Sequence, residues 1–131
     1  MAARIAVAVV AVAAIAWLAV MERNVRLQAR GVEASNQLVV PGNAARAEAA
    51  FRDARLLNPD TMPDLGRAYV YQARGRRREA AALLSDIVRR EPDNLTAWGV
   101  LYSLTRRSDP ATARRALAAQ ARLDPVSARR R

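Results

Sequence analysis

A short phrase ending in proline returns at a fixed interval along this chain, and it constrains the fold more than any other feature. The phrases Leu57-Asn58-Pro59, Glu91-Pro92 and Leu123-Asp124-Pro125 place their prolines 33 residues apart. Upstream of each proline, a small and then a larger apolar residue return at the same interval: Ala47, Ala80 and Ala113, then Phe51, Leu84 and Leu117. A period of this length is typical of repeat architectures, in which each repeat is one supersecondary unit.

Hydrophobic spacing predicts that each repeat is a pair of helices. Apolar residues recur at every third or fourth position from Ala47 to Leu57 and from Ala80 to Val88, as on one face of a helix. Asn43 and Asn94 are expected to cap helices, because asparagine is favoured at that position. Gly or Pro marks the expected turns, which are Pro41-Gly42, Arg74-Gly75 and Ser108-Asp109-Pro110. Since no segment of useful length alternates with a period of two, the chain is predicted to be all-α.

The N-terminal segment from Ile5 to Met21 carries no charged residue. As a helix it is about 25 Å long at ~1.5 Å per residue, a little under the ~30 Å of a bilayer core. Trp17 lies near its far end, where aromatic residues favour the membrane interface. We therefore predict a transmembrane anchor at residues 1–21 and a single-pass protein, with a bacterial inner membrane as its expected location.

Two other readings of this segment remain open. Ala14-Ile15-Ala16 has the form of a signal-peptide cleavage site, although the apolar run continues past it to Met21. The second alternative is that the segment forms a buried helix of the soluble domain. The side of the membrane is also open: Arg23, Arg26 and Arg30 follow the span and favour a cytoplasmic domain, yet long domains translocate largely regardless of charge.

Residues 22–40 predict a further helix that can continue from the span. Its partial apolar stripe consists of Val25, Val32, Ser35, Leu38 and Val39. Gly31 weakens this prediction, because glycine costs a helix about 1 kcal/mol relative to alanine.

From about residue 29 to 127, the layout resembles the tetratricopeptide repeat. Its early apolar position is Val32, Leu65 and Trp98, its leucine-like position is Ser35, Ala68 and Leu101, and its turn residue is Gly42, Gly75 and Ser108. The resemblance implies an α-solenoid of about three helix hairpins over residues 22–127, followed by a basic tail at 128–131. The period is one residue shorter than the family's usual 34. An unrelated hairpin array or helical bundle is the alternative.

The resemblance also implies a concave groove lined by the first helix of each pair, and hence a surface for a protein or peptide partner. Carried onto this chain, the groove residues are Arg30, Glu33, Gln37, Val70, Arg74, Thr96, Ser103, Arg106 and Arg107. We expect Gln37, Arg74, Ser103, Arg106 and Arg107 to contact the partner. The arginines suit an acidic segment, because guanidinium groups pair well with carboxylates.

Composition limits the chemistry. All 22 basic residues are arginine, histidine and cysteine are absent, and the net charge is +10. Thiol chemistry is excluded, and the commonest general base is missing. Without a phosphate-binding loop, nucleophile motif or metal-spaced cluster, we expect neither catalysis nor a cofactor. Asp60 and Asp64, at the start of a helix, are expected to be caps or partners of the helix dipole.

These observations predict a membrane-anchored scaffold for protein–protein interaction. The alternative is a structural subunit of a larger membrane complex. A third hypothesis is a basic module that binds anionic lipid through Arg76-Arg77-Arg78 or Arg129-Arg130-Arg131, or nucleic acid. Nucleic acid is the least favoured partner, because few aromatic residues are present to stack on bases.

Overall fold

The computed structural model describes residues 2–128, and all regular structure in that range is helical. The helices are α1 (Ala2–Ser35), α2 (Asn43–Ala54), α3 (Met62–Ala73), α4 (Arg77–Arg90), α5 (Leu95–Thr105), α6 (Pro110–Leu123) and the single turn α7 (Pro125–Ala128). The all-α prediction is thus confirmed. The chain divides into two compact units: unit one extends up to Pro63, and unit two begins at Asp64. Arg129-Arg130-Arg131, most of the predicted basic tail, lie outside the described residues.

Helix α1 carries both the predicted anchor and the segment that follows it. It runs unbroken through Met21 and Glu22, so the predicted boundary between anchor and repeat domain lies inside one helix. Its 34 residues extend about 51 Å at ~1.5 Å per residue. The stretch Ala3–Ser35 is long and apolar enough to cross a membrane, with a mean hydropathy of 2.4 in its best window and no residue of that window buried. A signal sequence near the N-terminus would share these properties.

In unit one, α1 and α2 pack as an antiparallel hairpin. Asn24 Nδ2 on α1 donates a hydrogen bond of 3.0 Å to the Leu56 carbonyl just after α2. At the other end of the hairpin, Asn43 Nδ2 donates to the Gln37 carbonyl at 3.1 Å. Between these bonds, the helices approach closely where Gly31 meets the buried ring of Phe51.

The apolar stripe predicted for residues 22–40 is wrong at its three valines, whereas Ser35 and Leu38 are half-buried. Val25, Val32 and Val39 are exposed, Val39 by 96%. The face that packs instead contains Asn24 and Gly31, both buried. The physical reason is that the Phe51 ring leaves no space for a side chain at position 31, so the two buried positions of this part of α1 are a glycine and an asparagine rather than aliphatic residues.

Two predictions about α2 also need correction. Asn43 is not the cap; it is the first helical residue, and Gly42 precedes it with a φ of 84° that favours glycine. The helix ends at Ala54, so Leu57 is not part of its apolar face. Leu57 has a φ of 54° and lies largely exposed in the connection to α3.

Unit two consists of antiparallel neighbours, as three hydrogen bonds show. Arg90 at the end of α4 donates to the Asp64 carboxylate at the start of α3, at 2.6 Å. Arg77 at the start of α4 donates to the Leu104 carbonyl near the end of α5, at 3.2 Å. Gln120 near the end of α6 donates to the Trp98 carbonyl near the start of α5, at 3.4 Å.

The core of unit two lies between α3, α4 and α5, and the predicted boundaries of its helices hold. The Arg74-Gly75 turn follows α3, Asn94 caps α5, and Pro110 occupies the first turn of α6. Apolar residues from all three helices form the buried cluster, which comprises Leu65, Ala68, Tyr71, Ala80, Leu84, Ile87, Val88, Ala97, Leu101 and Leu104.

Leu117, predicted as core, is 42% exposed, whereas Leu84 at the equivalent position is fully buried. Leu84 belongs to the cluster that α5 covers. Within residues 2–128, α6 is followed only by the four residues of α7. The sequence of α6 is also less apolar than that of α4. One repeat of 33 residues further along, Ile87 and Val88 of α4 are replaced by Gln120 and Ala121 of α6.

Candidate functional site

The residues predicted to contact a partner fall into two places. Arg74, Ser103, Arg106 and Arg107 belong to unit two and are exposed. Because Arg77 bonds to the Leu104 carbonyl, the α3–α4 turn lies beside the last turn of α5. The structure therefore brings these four residues to one end of unit two, which we call the basic end.

Gln37 lies in unit one, where it lines a different groove. This groove has a volume of about 500 Å³ and runs between α1 and α2. Arg30 and Glu33, also predicted to line a groove, are found in it, together with Asn43 and Arg46. Its charges are of mixed sign, so it has no marked preference for an acidic or a basic ligand.

Val70, also predicted to face the groove, is fully buried, so this prediction is wrong. Its neighbour Tyr71 is buried as well, whereas Tyr69 is exposed. More of the surface of α3 is therefore buried than expected for a helix that turns one face to the core and another to an open groove. The assumption of a single core face, rather than the boundary of the helix, caused the error.

At the basic end, the three arginines predicted to contact a partner are free to bind an anionic group. Arg76 is engaged, since its Nε donates to Glu79 at 2.7 Å and its guanidinium lies 4.1 Å from the centre of the Tyr71 ring. This arginine lowers the pKa of Glu79 below its usual value. By contrast, Arg74, Arg106 and Arg107 have no ion-pair partner among the residues that the structure describes.

A second charged cluster, inside unit two, is structural. The Asp64 side chain is only 6% exposed and accepts from Arg90, while Arg67 lies 3.7 Å away. Arg67 also donates to the Tyr71 hydroxyl at 3.0 Å. Asp64 lies in the first turn of α3, as expected for a partner of the helix dipole, but the prediction omitted this pairing between α3 and α4. Asp60 is not the cap, because it lies two residues before Met62, the first residue of α3; its carboxylate accepts from the Met62 amide at 2.9 Å in a turn ahead of the helix.

Unit two also has a groove that the sequence reasoning missed, here called the α4–α6 groove. It has a volume of about 320 Å³ and is lined by Ser85, Val88, Arg89, Trp98, Leu101, Thr112 and Arg115. Val88 and Leu101 form a buried apolar floor, and Trp98 is half-buried. Helices α4, α5 and α6 all contribute, so only the tertiary packing brings its residues together. No sequence signal pairs Arg89 with Arg115 or Trp98.

Hydrogen bonds hold one wall of this groove in place. Asp109 caps α6 by accepting from the Thr112 amide at 3.0 Å. The Thr112 hydroxyl, followed by its amide, keeps the pKa of Asp109 below the usual value. Arg115 Nη2 in turn donates to the Thr112 hydroxyl at 3.0 Å. The Arg115 guanidinium is therefore positioned beside the groove without an ion pair of its own in the described chain.

Charge is unevenly divided between the two units. The described part of unit two, residues 64–128, has twelve arginines and seven carboxylates, whereas residues 2–63 of unit one have seven and five. No group of three or more acidic residues that might hold a metal ion occurs within residues 2–128. The cationic surface of unit two is thus the most distinctive chemical feature outside the apolar helix.

Comparisons with protein-family models, with curated proteins and with solved structures give no match for this chain.

Proposed function

We propose that this protein is a membrane-anchored helical-repeat scaffold of the tetratricopeptide-like type, which binds a protein partner through unit two. The observation that carries the proposal is the basic end, where Arg74, Arg106 and Arg107 are exposed and have no ion-pair partner in the described chain. Guanidinium groups bind carboxylates in a bidentate, directional manner. The partner therefore has an acidic segment.

In this proposal, the apolar part of α1 spans the membrane once. Its aliphatic side chains are exposed on every side, with Val10 at 68% and Leu18 at 66%. Exposure of this extent is costly in water and favourable in lipid. Since α1 continues from the span into the hairpin with α2, that hairpin is attached to the span by continuous helix rather than by a flexible linker.

Site-specific photocrosslinking in membranes tests the proposal. A photoreactive residue replaces Ser103 at the basic end or, as the control, exposed Arg52 on unit one. The expected result is one discrete protein adduct from position 103 and none of the same size from position 52. The proposal fails if position 103 reacts only with lipid, or if both positions give the same adducts.

A second candidate function is a structural subunit of a larger membrane complex. The exposed Leu117 on the last long helix favours it, because its equivalent Leu84 is covered. Native electrophoresis of mild detergent extracts separates the two functions. A structural subunit migrates only in a large complex, whereas a scaffold also gives a free pool.

A further inference from the structure

The α4–α6 groove has the composition of a docking site for a protein segment. Val88 and Leu101, which are 8% and 1% exposed, lie at its floor, and the half-buried Trp98 ring forms one side. The Trp98 Nε1 donates to the Pro92 carbonyl at 2.8 Å, so the indole offers an apolar face whose polar group is already satisfied. Tryptophan and arginine are the residues most enriched at the energetic centres of protein interfaces.

The charge of the groove is of one sign. Arg89 and Arg115 line it, and no carboxylate does. Arg89 pairs with Asp86 but keeps 75% of its side chain exposed. Arg115 is held by the Thr112 hydroxyl and has no ion pair among the described residues. An occupant thus meets an apolar floor with cations beside it, which can form charge-assisted hydrogen bonds to carboxylates.

These features select one class of occupant. A volume of about 320 Å³ lies near the lower end of the ~300–1,000 Å³ of small-molecule sites, and it suits one or two large side chains. The C-terminal residues Arg129-Arg130-Arg131 are cationic, so the charge of the groove repels them. We infer that the α4–α6 groove binds a segment of the partner protein in which large aliphatic residues are flanked by carboxylates. The inference rests on the proposed function and names a second contact surface on unit two.

Tryptophan fluorescence of the full chain in detergent micelles gives a direct readout. With Trp17→Phe as background, Trp98 is the only tryptophan. The probe is the peptide acetyl-Asp-Glu-Leu-Leu-Glu-Asp-amide. Two control peptides replace either its carboxylates by amides (Asn and Gln) or its leucines by serines. Saturable change in Trp98 emission is expected with the probe, and at least about tenfold weaker binding with each control, because both charge and apolar burial contribute.

Substitutions on one helix locate the site. Arg115→Glu should weaken binding of the probe at least about tenfold, whereas Arg114→Glu, its neighbour outside the groove, should change it by less than about threefold. Arg89→Glu on α4 should act like Arg115→Glu. Far-UV circular dichroism and thermal melting establish that each variant is folded, and Arg115→Gln is the milder alternative if the charge reversal is not.

Four results would overturn the inference. Absence of saturable binding of the acidic peptide is the first. Loss of binding in Arg106→Glu and Arg107→Glu but not in Arg115→Glu is the second, and it would place docking at the basic end and leave the proposed function intact. The third is an equal response of Trp98 to phosphatidylglycerol vesicles, which identifies a lipid. Self-association that Arg115→Glu abolishes is the fourth, since it identifies a second copy of the chain.

Discussion

Gly31 of α1 lies so close to the ring of Phe51 on α2 that a Cβ atom at position 31 would be 2.7 Å from the ring atom Cε1. The ring is 3% exposed and so has little space to move. This contact sets the distance between the two helices of unit one. The glycine that weakens α1 as an isolated helix is therefore the residue that allows the hairpin to close.

Gly31→Ala should destabilise the protein. Overpacking of a closed site costs about 1–3 kcal/mol, which offsets or exceeds the ~1 kcal/mol that alanine contributes to a helix. Gly99→Ala is the matched control, because Gly99 also lies in a helix and its added Cβ would meet nothing within 4 Å. Chemical denaturation of the full chain in micelles should show Gly99→Ala as neutral or stabilising. Equal stabilisation by both substitutions would contradict the close contact, whereas Phe51→Leu should partly rescue Gly31→Ala.

The Arg90–Asp64 pair should matter more than its exposed neighbour. Arg90→Gln leaves the buried Asp64 carboxylate without its 2.6 Å partner. Removing one member of a fully buried pair costs about 3–5 kcal/mol, and since Arg90 is a third exposed we expect about 1–3 kcal/mol. Arg89→Gln, on a largely exposed side chain, should change the free energy of unfolding by less than about 0.5 kcal/mol. An equal loss of unfolding free energy in the two variants would show that the Arg90–Asp64 pair stabilises the fold no more than an exposed arginine does.

Asp109 should contribute to sensitivity to acid. Its pKa is lowered in the folded state by the Thr112 hydroxyl and amide. Its stabilising effect is therefore present above the usual aspartate pKa of about 3.9 and lost as the pH falls through the lower, folded-state value. As the pH is lowered through this range, the free energy of unfolding should fall less steeply for Asp109→Asn than for the wild type. Asparagine at this position still caps α6. Thr112→Val should have a similar effect, and the double variant should be non-additive. A slope unchanged from that of the wild type would contradict the cap.

Sequence reasoning succeeded where local chemistry decides the structure. Asn94, Gly75 and Pro110 mark their helix ends because caps, left-handed turns and proline act within a few residues. It failed at Asn43, where Gly42 takes the cap position instead, and it failed where packing decides. The buried positions described on α1 are Gly31 and Asn24, which hydropathy ranks as unsuited to a core. Leu117 has the spacing of a core residue but no described helix to cover it. The α4–α6 groove needs three helices to be in place, so no spacing along the chain reveals it.

A charge inside the proposed span should prevent membrane retention. Val10→Arg places a guanidinium near the middle of the apolar segment, at a cost of about 2.5–3.5 kcal/mol for insertion. Val32→Arg, on the same helix and exposed beyond the span, is the control and should have no effect. Alkaline extraction of membranes followed by intact-mass measurement checks both retention and cleavage. A wild-type mass that lacks the residues up to Ala16 would show that the segment is a signal peptide.

In the proposed function, unit two binds a protein partner through its arginines while α1 remains in the membrane. The most direct test of this function is the yield of the position-103 crosslink in membranes from the wild type and from the variant Arg74→Glu, Arg106→Glu, Arg107→Glu. A charge-matched control carries Arg30→Glu, Arg46→Glu and Arg52→Glu on unit one. We predict that the yield of the adduct falls at least about tenfold in the triple variant, whereas the control retains the wild-type yield. An adduct of unchanged yield in the triple variant would contradict the account.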